Sequence, residues 1–525
     1  MRTLAWCIAA AVAMASVSGL PLPGASKRAI NTPQDIAAHN LAARASGLRG
    51  AILKDLPVQY FTQKIDHENP NNGTFKQRYW VNDEYVQRNT DGTAVDKTPV
   101  FAYICGEGAC SSASLLEGQV VNLAAEYGGL LVTLEHRGYG WSQPYPKLNM
   151  QSLRVITSTQ SQLDWVEFLP AVIAQAKLAA DSAIITYGGS YSGAMSSWMR
   201  KLHPDIITGA YASSGPVLAQ VNFEGYNEQV DYALRDASVG GSDTCADTLR
   251  DAFATIEQKL LGADVDRAQL ADDFCLTSFS GSELDAWAVM SQLAGDVMGV
   301  VQYSDQISSL PLQKIDSLCY FMNWPNNPVG SQTSGTYAGY DKFRDYYRQT
   351  FSSTTATGQC KDLNNATWAA SIAELANEDP AAYASGVGAR TWTWQTCNEF
   401  GYFQTCDSGT NCVFGQAMNL NGYMETCQVL FNVSAAQVNE NIAKTNAHYG
   451  GNTTTTTRVL WMDGTGDPWH KLTQQDMLVR SSPSTIIPGA SHCQDMSATL
   501  ACDSPGLTWA RYNANTIIGL WLAHE

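Results

Sequence analysis

Four side chains have the types and spacing for acyl transfer by a hydroxyl nucleophile: Ser190, Asp463, Asp467 and His492. A serine hydroxyl becomes a competent nucleophile when an imidazole takes its proton. A carboxylate beyond the imidazole then fixes its tautomer and stabilises the cation that forms. Ser190 stands in IITYGGSYSGAMSSWMRKL, where a β-branched run gives way to glycines and then to a helical pattern. This is the strand-turn-helix context of a nucleophile elbow, whose strained turn lifts the hydroxyl out of a sheet. Small residues are needed two before and two after the serine, and Gly188 and Ser192 supply them, Ser192 in place of the usual glycine. Ser192 is a rival nucleophile, but Ser190 and Ala194 on its flanks make a poorer elbow.

The partners follow in the required order. RVLWMDGTGDPWH presents Asp463 and Asp467 after a strand-like run, and STIIPGASHCQDM presents His492 after the next one. Spacing alone leaves both aspartates open as the third member. The tetrahedral intermediate of such chemistry needs two preorganised backbone donors, one of them the amide after the nucleophile, here Tyr191. The second is expected in the turn after PVFAYIC, from the amide of Glu107, with Gly106 next in order; the glycines there also suit a plain tight turn, with Cys105 and Cys110 bridged across it.

A scaffold must bring these residues together. Six short apolar, β-rich runs end in glycine or turn residues: 99–106, 129–138, 182–189, 209–215, 458–464 and 484–490. They read as buried parallel strands. Helical patterns such as TSTQSQLDWVEFLPAVIAQAK lie between them, so the class is α/β, and the elbow and partner order make it an α/β-hydrolase fold. Residues 216–450 are too many for a strand connection and rich in amphipathic patterns. They are expected to form a mainly helical cap inserted after the sixth strand, between first (58–215) and second (451–525) parts of the hydrolase domain.

The first 19 residues combine Arg2, an apolar run from Leu4 to Val17 and small residues, the pattern of a cleaved secretory leader, followed by an extension over 20–57. The run is shorter than the roughly 18 residues that span a bilayer, so no membrane partner is expected. Of 13 cysteines, Cys7 leaves with the leader, and the even remainder in an exported chain predicts disulfides, eight of these cysteines lying in the insertion. Cys397, Cys406 and Cys412 lack a CxxC pair or nearby His, which argues against zinc; no metal or cofactor is expected. Sequons begin at Asn72, Asn365, Asn432 and Asn452, the candidate glycosylation sites. A formal charge of -17 excludes nucleic acid as a partner and suits either solubility or an acidic fluid.

GGSYSG together with EHRGYG (135–140), ASSGPV (212–217), WTWQTCNEFG (392–401), DGTGDPW (463–469) and SHCQD (491–495) resembles the serine peptidase family of lysosomal prolyl carboxypeptidase, dipeptidyl peptidase II and fungal acid prolyl endopeptidases. The stretch 60–80 resembles that family's opening strands. The resemblance implies that Asp467, in DPW, is the triad acid. It also implies cleavage on the carboxyl side of proline in peptide substrates, usually at acid pH, in the medium or an acidic vacuole or lysosome. Mapping the motifs further places Trp469 at a proline pocket, with Trp394 contributing from the cap; flat indoles suit a ring that has no N–H to satisfy. Two departures, Ala109 where the exopeptidases carry an aspartate and Ala194 where methionine is frequent, lean towards an endopeptidase. The elbow and triad by themselves also fit an esterase or lipase-like hydrolase, or an inactive hydrolase fold serving as a binding module.

Overall fold

The structure is a computed structural model that describes residues 55–304, 312–324, 338–352, 354, 359–407 and 411–523. The leader 1–19 and nearly all of the extension 20–57 lie outside the described residues.

The six apolar runs form six parallel strands: β3 (Val100–Ile104), β4 (Leu130–Leu134), β5 (Ile184–Gly189), β6 (Gly209–Ser213), β9 (Val459–Gly464) and β10 (Ser484–Ile487). An antiparallel hairpin, β1 (Gln59–Lys64) and β2 (Thr74–Asn82), completes an eight-stranded mixed sheet of order β1-β2-β4-β3-β5-β6-β9-β10. Strand pleating sends neighbouring side chains to opposite faces. Val100, Ala102 and Ile104 accordingly pack with Trp165 and Phe168 of the helix Ser158–Gln175, and Phe101 and Tyr103 with Leu123 and Leu507 on the other face. With both faces covered, the strands read as continuous hydrophobic runs.

The EHRGYG motif is scaffolding. Buried Arg137 donates from Nε to Asp164 Oδ2 at 2.7 Å and from its terminal nitrogens to the Ile65 and Lys64 carbonyls, at 2.8 and 3.0 Å. It thereby fastens the end of β1 to the sheet and to the helix Ser158–Gln175.

The chain leaves the sheet after β6 and returns at β9. Between them lie ten helices of seven or more residues among the described residues, and the short parallel pair β7 (Gln220–Asn222) and β8 (Gly401–Phe403). Phe253, Phe274, Phe343 and Tyr347 form an aromatic nucleus of this insertion, with ring centroids 5.0 to 6.0 Å apart. Four disulfides staple it: Cys245–Cys319, Cys275–Cys360, Cys397–Cys427 and Cys406–Cys412. The first two close loops of 74 and 85 residues, each worth about 4 kcal/mol in the chain-entropy account.

The fifth disulfide, Cys105–Cys110, closes the turn after β3. The five disulfides meet the expectation drawn from the cysteines, and Cys493 is a buried thiol beside the turn at Ser190. Its thiol interacts with the His492 side chain and lies 3.9 Å from the Ser213 carbonyl oxygen. The three cysteines considered for zinc are all in disulfides. Of the sequon asparagines, Asn72, Asn365 and Asn432 are exposed and Asn452 is half-buried. Among the described residues no helix is long and apolar enough to cross a membrane.

Candidate active site

Ser190 sits at the end of β5 with φ 58° and ψ −133°, and the helix Tyr191–Leu202 begins at the next residue. A non-glycine residue at positive φ stores on the order of 1–3 kcal/mol, so the turn must be held from several sides. The Ser190 N–H donates to the Ser213 carbonyl of β6 at 2.9 Å, and the Ser190 carbonyl accepts from Gly193 N–H at 2.9 Å. A Cβ on Gly188 would stand 2.2 Å from the Ser192 carbonyl oxygen, and one on Gly193 2.6 Å from the Ser213 oxygen. The glycines that the turn requires are therefore 188 and 193. Ser192 is tolerated two after Ser190 because its hydroxyl donates to the Gly189 carbonyl at 2.7 Å, which occupies it within the turn.

Asp467 follows β9 and caps the short helix Pro468–Leu472, its Oδ1 accepting from Trp469 N–H at 2.9 Å. The same oxygen meets His492 Nδ1 at 2.9 Å, with both side chains fully buried. One backbone donor thus fixes the carboxylate that fixes the imidazole. Burial alone would depress the pKa of His492; the Asp467 charge, with the neighbouring Cys493 side chain, outweighs it and holds the imidazole well above its ordinary value. Asp463 is engaged differently. It lies within β9, accepts from Thr473 Oγ1 at 2.9 Å, and burial together with the Asp467 charge pushes its carboxyl well above the usual range, which favours the neutral form. Only Asp467 reaches the histidine.

The His492 loop packs on the elbow. A Cβ on Gly189 would lie 2.4 Å from Met496 Sδ and 2.8 Å from Cys493 Sγ, while Cys493 N–H donates to Ser214 Oγ at 2.9 Å. The turn Gly106–Gly108 stands on the other side: a Cβ on Gly106 would be 3.6 Å from Ser192 Cβ. Tyr191, as the first residue of its helix, presents a backbone N–H with no acceptor inside the helix. Glu107 and Tyr191 both line the cavity onto which Ser190 opens.

That cavity, about 370 Å³, has one wall from the sheet domain and one from the insertion, which supplies Tyr226, Met298, Gln302, Trp392 and Tyr402. Trp469 lines it too, its ring meeting Tyr226 and Tyr402 edge-on at 5.4 Å. Glu107 is the one charged residue among those lining it. Trp394 does not reach the cavity: it is buried against Phe431, with ring centroids 5.5 Å apart, in a separate cluster. Trp392 lines the cavity in its place. Two residues apart on a helix, the indoles point about 200° from one another, so only one of the pair can face the substrate.

The second wall also stabilises the elbow from behind. Tyr191 Oη lies 3.0 Å from His136 Nε2 and accepts from Gln395 Nε2 at 3.2 Å; Gln395 also donates to Glu399, which accepts from Ser158 Oγ at 2.6 Å. Burial raises the pKa of Glu399, and its hydrogen bonds join the insertion to the helix Ser158–Gln175. Tyr226, Gln302 and Tyr402 carried no signal in the sequence, since each stands in a stretch that reads as ordinary core.

Residues 63–514 match the family model described as Serine carboxypeptidase S28. The chain is 34% identical to the Thymus-specific serine protease of Mus musculus, with 86% of this chain and 84% of that protein covered. It is 31% identical to the Putative serine protease K12H4.7 of Caenorhabditis elegans, covering 88% and 87%. To the Lysosomal Pro-X carboxypeptidase of Bos taurus it is 24% identical, covering 87% and 86%. An elbow serine, a buried aspartate-histidine pair and a helical insertion over the same cavity accompany a family match across nearly the whole described chain, and the protein belongs to the S28 family of serine peptidases.

Proposed function

We propose that this serine peptidase hydrolyses peptide bonds on the carboxyl side of proline, through an acyl-enzyme on Ser190, and that it acts as an endopeptidase in preference to an exopeptidase. The observation that carries the reading is the cavity that Ser190 shares with Trp469, Tyr226 and Tyr402. Their aromatic faces and edges suit a pyrrolidine ring, which offers apolar surface and no N–H. The name of the bovine relative, Pro-X carboxypeptidase, agrees with that pocket.

In this reading Ser190 Oγ attacks the scissile carbonyl carbon while its proton passes to His492 Nε2. The carbonyl π pair moves onto oxygen, where the Tyr191 and Glu107 amides receive it. Collapse breaks the C–N bond as His492 returns the proton to the leaving amine. Water, deprotonated by His492 in turn, then cleaves the ester. Asp467 stabilises the imidazolium in both halves.

A cation would favour the substrate carboxylate of a carboxypeptidase, and no Lys or Arg lines this cavity among the described residues. With Ala109 in place of the exopeptidases' aspartate, this favours internal cuts. The leader-like first 19 residues and the disulfides support delivery through the secretory route, to the medium or to a vacuole or lysosome. The acid optimum implied by the family resemblance finds no support at His492, whose upward shift keeps the base protonated at low pH.

A blocked dipeptide p-nitroanilide ending in proline, assayed beside a simple p-nitrophenyl ester, tests the reading. Turnover of the ester alone would make the protein an esterase.

A further inference from the structure

We infer that the side-chain amide of Gln302 is a substrate-binding donor for the backbone carbonyl that precedes the proline; this rests on the peptidase reading above. Gln302 ends the helix Glu283–Gln302 of the insertion, is half-buried, and lines the cavity with Ser190 and Trp469. One atom of its amide receives Trp469 Nε1 at 3.1 Å and Tyr226 Oη at 2.6 Å. An indole nitrogen can only donate, so that atom is the oxygen. The orientation of the amide follows, and its NH₂ group, with no hydrogen bond among the described residues, is left for the cavity. The backbone carbonyl of Gln302 accepts from His492 N–H at 3.0 Å. A single residue therefore touches the indole wall and the loop of the base.

The substrate chemistry matches. Proline has no N–H, so the nearest polar backbone group on the amino-terminal side of the cut is the carbonyl of the preceding residue, an acceptor. A donor fixed by two hydrogen bonds loses little freedom on binding it. That carbonyl lies within about one residue's length, roughly 3.5 Å, of the proline ring, and Gln302 is hydrogen-bonded to the indole on which the ring would sit.

Gln302→Glu keeps an acceptor for Trp469 and Tyr226 and replaces the donor with a second oxygen. The expected result, with benzyloxycarbonyl-Gly-Pro p-nitroanilide, is a fall in kcat/KM on the order of 100-fold, carried mainly by KM. A fluorophosphonate, which reports Ser190 activation and carries no such carbonyl, should lose at least about thirty times less in its inactivation rate than the peptide loses in kcat/KM. Gln302→Met, which keeps the volume but removes the donor together with the acceptor for Trp469 and Tyr226, should lose at least as much on the peptide. Wild-type kcat/KM in either variant, or equal losses on peptide and fluorophosphonate, would overturn the inference. Failure of the peptidase reading shows elsewhere, as a wild-type protein that reacts with the fluorophosphonate and leaves the peptide intact.

Discussion

Replacing Asp467 by Asn removes one charge and almost no volume from a site where the carboxylate has two fixed duties. Its Oδ1 accepts from Trp469 N–H and from His492 Nδ1, both at 2.9 Å. The Trp469 amide holds an oxygen at that position in the variant, so the histidine keeps its tautomer and the loss is electrostatic. For charge centres about 4 Å apart at an effective dielectric of about 20, the lost attraction to the imidazolium is about 4 kcal/mol, or roughly a thousandfold in rate. Asp463→Asn is the control. Burial and the Asp467 charge already favour its neutral form, and an amide oxygen can still accept from Thr473, so kcat/KM should fall by no more than about threefold. The assay is kcat/KM on a proline p-nitroanilide, with active sites titrated by a fluorophosphonate and folding checked by thermal melting. Equal losses in the two variants, or a larger one at Asp463, would refute the assignment of Asp467.

Three further outcomes follow from the geometry. The Asp467 charge raises His492, so kcat/KM should climb with pH through a value above the ordinary imidazole pKa of about 6.5; in Asp467→Asn, where the main charge opposing burial is gone, the limb should move to lower pH, and a wild-type maximum below pH 5 would contradict this. Trp469→Ala should cost about 2 kcal/mol, some thirtyfold in kcat/KM, on proline substrates and erode the preference for proline over alanine before the cut; an unchanged preference would remove Trp469 from the pocket. Arg137→Met removes the guanidinium from the buried Asp164 carboxylate, leaving it His67 and Gln77 as partners, and should lower the unfolding free energy by about 3 kcal/mol in a urea titration, against no change if the pair is dispensable.

Much of the scaffold was legible because parallel strands buried on both faces must be apolar from end to end, and glycines must stand where Ser190 turns. The order serine, aspartate, histidine was readable for the same reason, each at the end of a strand-like run. Spacing could not separate Asp463 from Asp467, since the choice depends on the Trp469 amide that caps one of them. The Trp394 expectation failed on helical phase: WTW offers two indoles, and the sequence does not say which faces inward. Gln302 and Tyr402 were invisible, because which residues of a helical insertion face the cavity is set by how it packs over the sheet. That Cys493 stays a thiol was not readable from the number of cysteines, because pairing depends on distances in space.

The cleavage products of an unbiased peptide mixture, read by mass spectrometry for the wild type and for Ser190→Ala, test the central claim most directly. The account predicts cuts after proline at interior positions in the wild type and their disappearance in the variant. Cuts spread over other residues, or proline cuts that persist without the Ser190 hydroxyl, would contradict it.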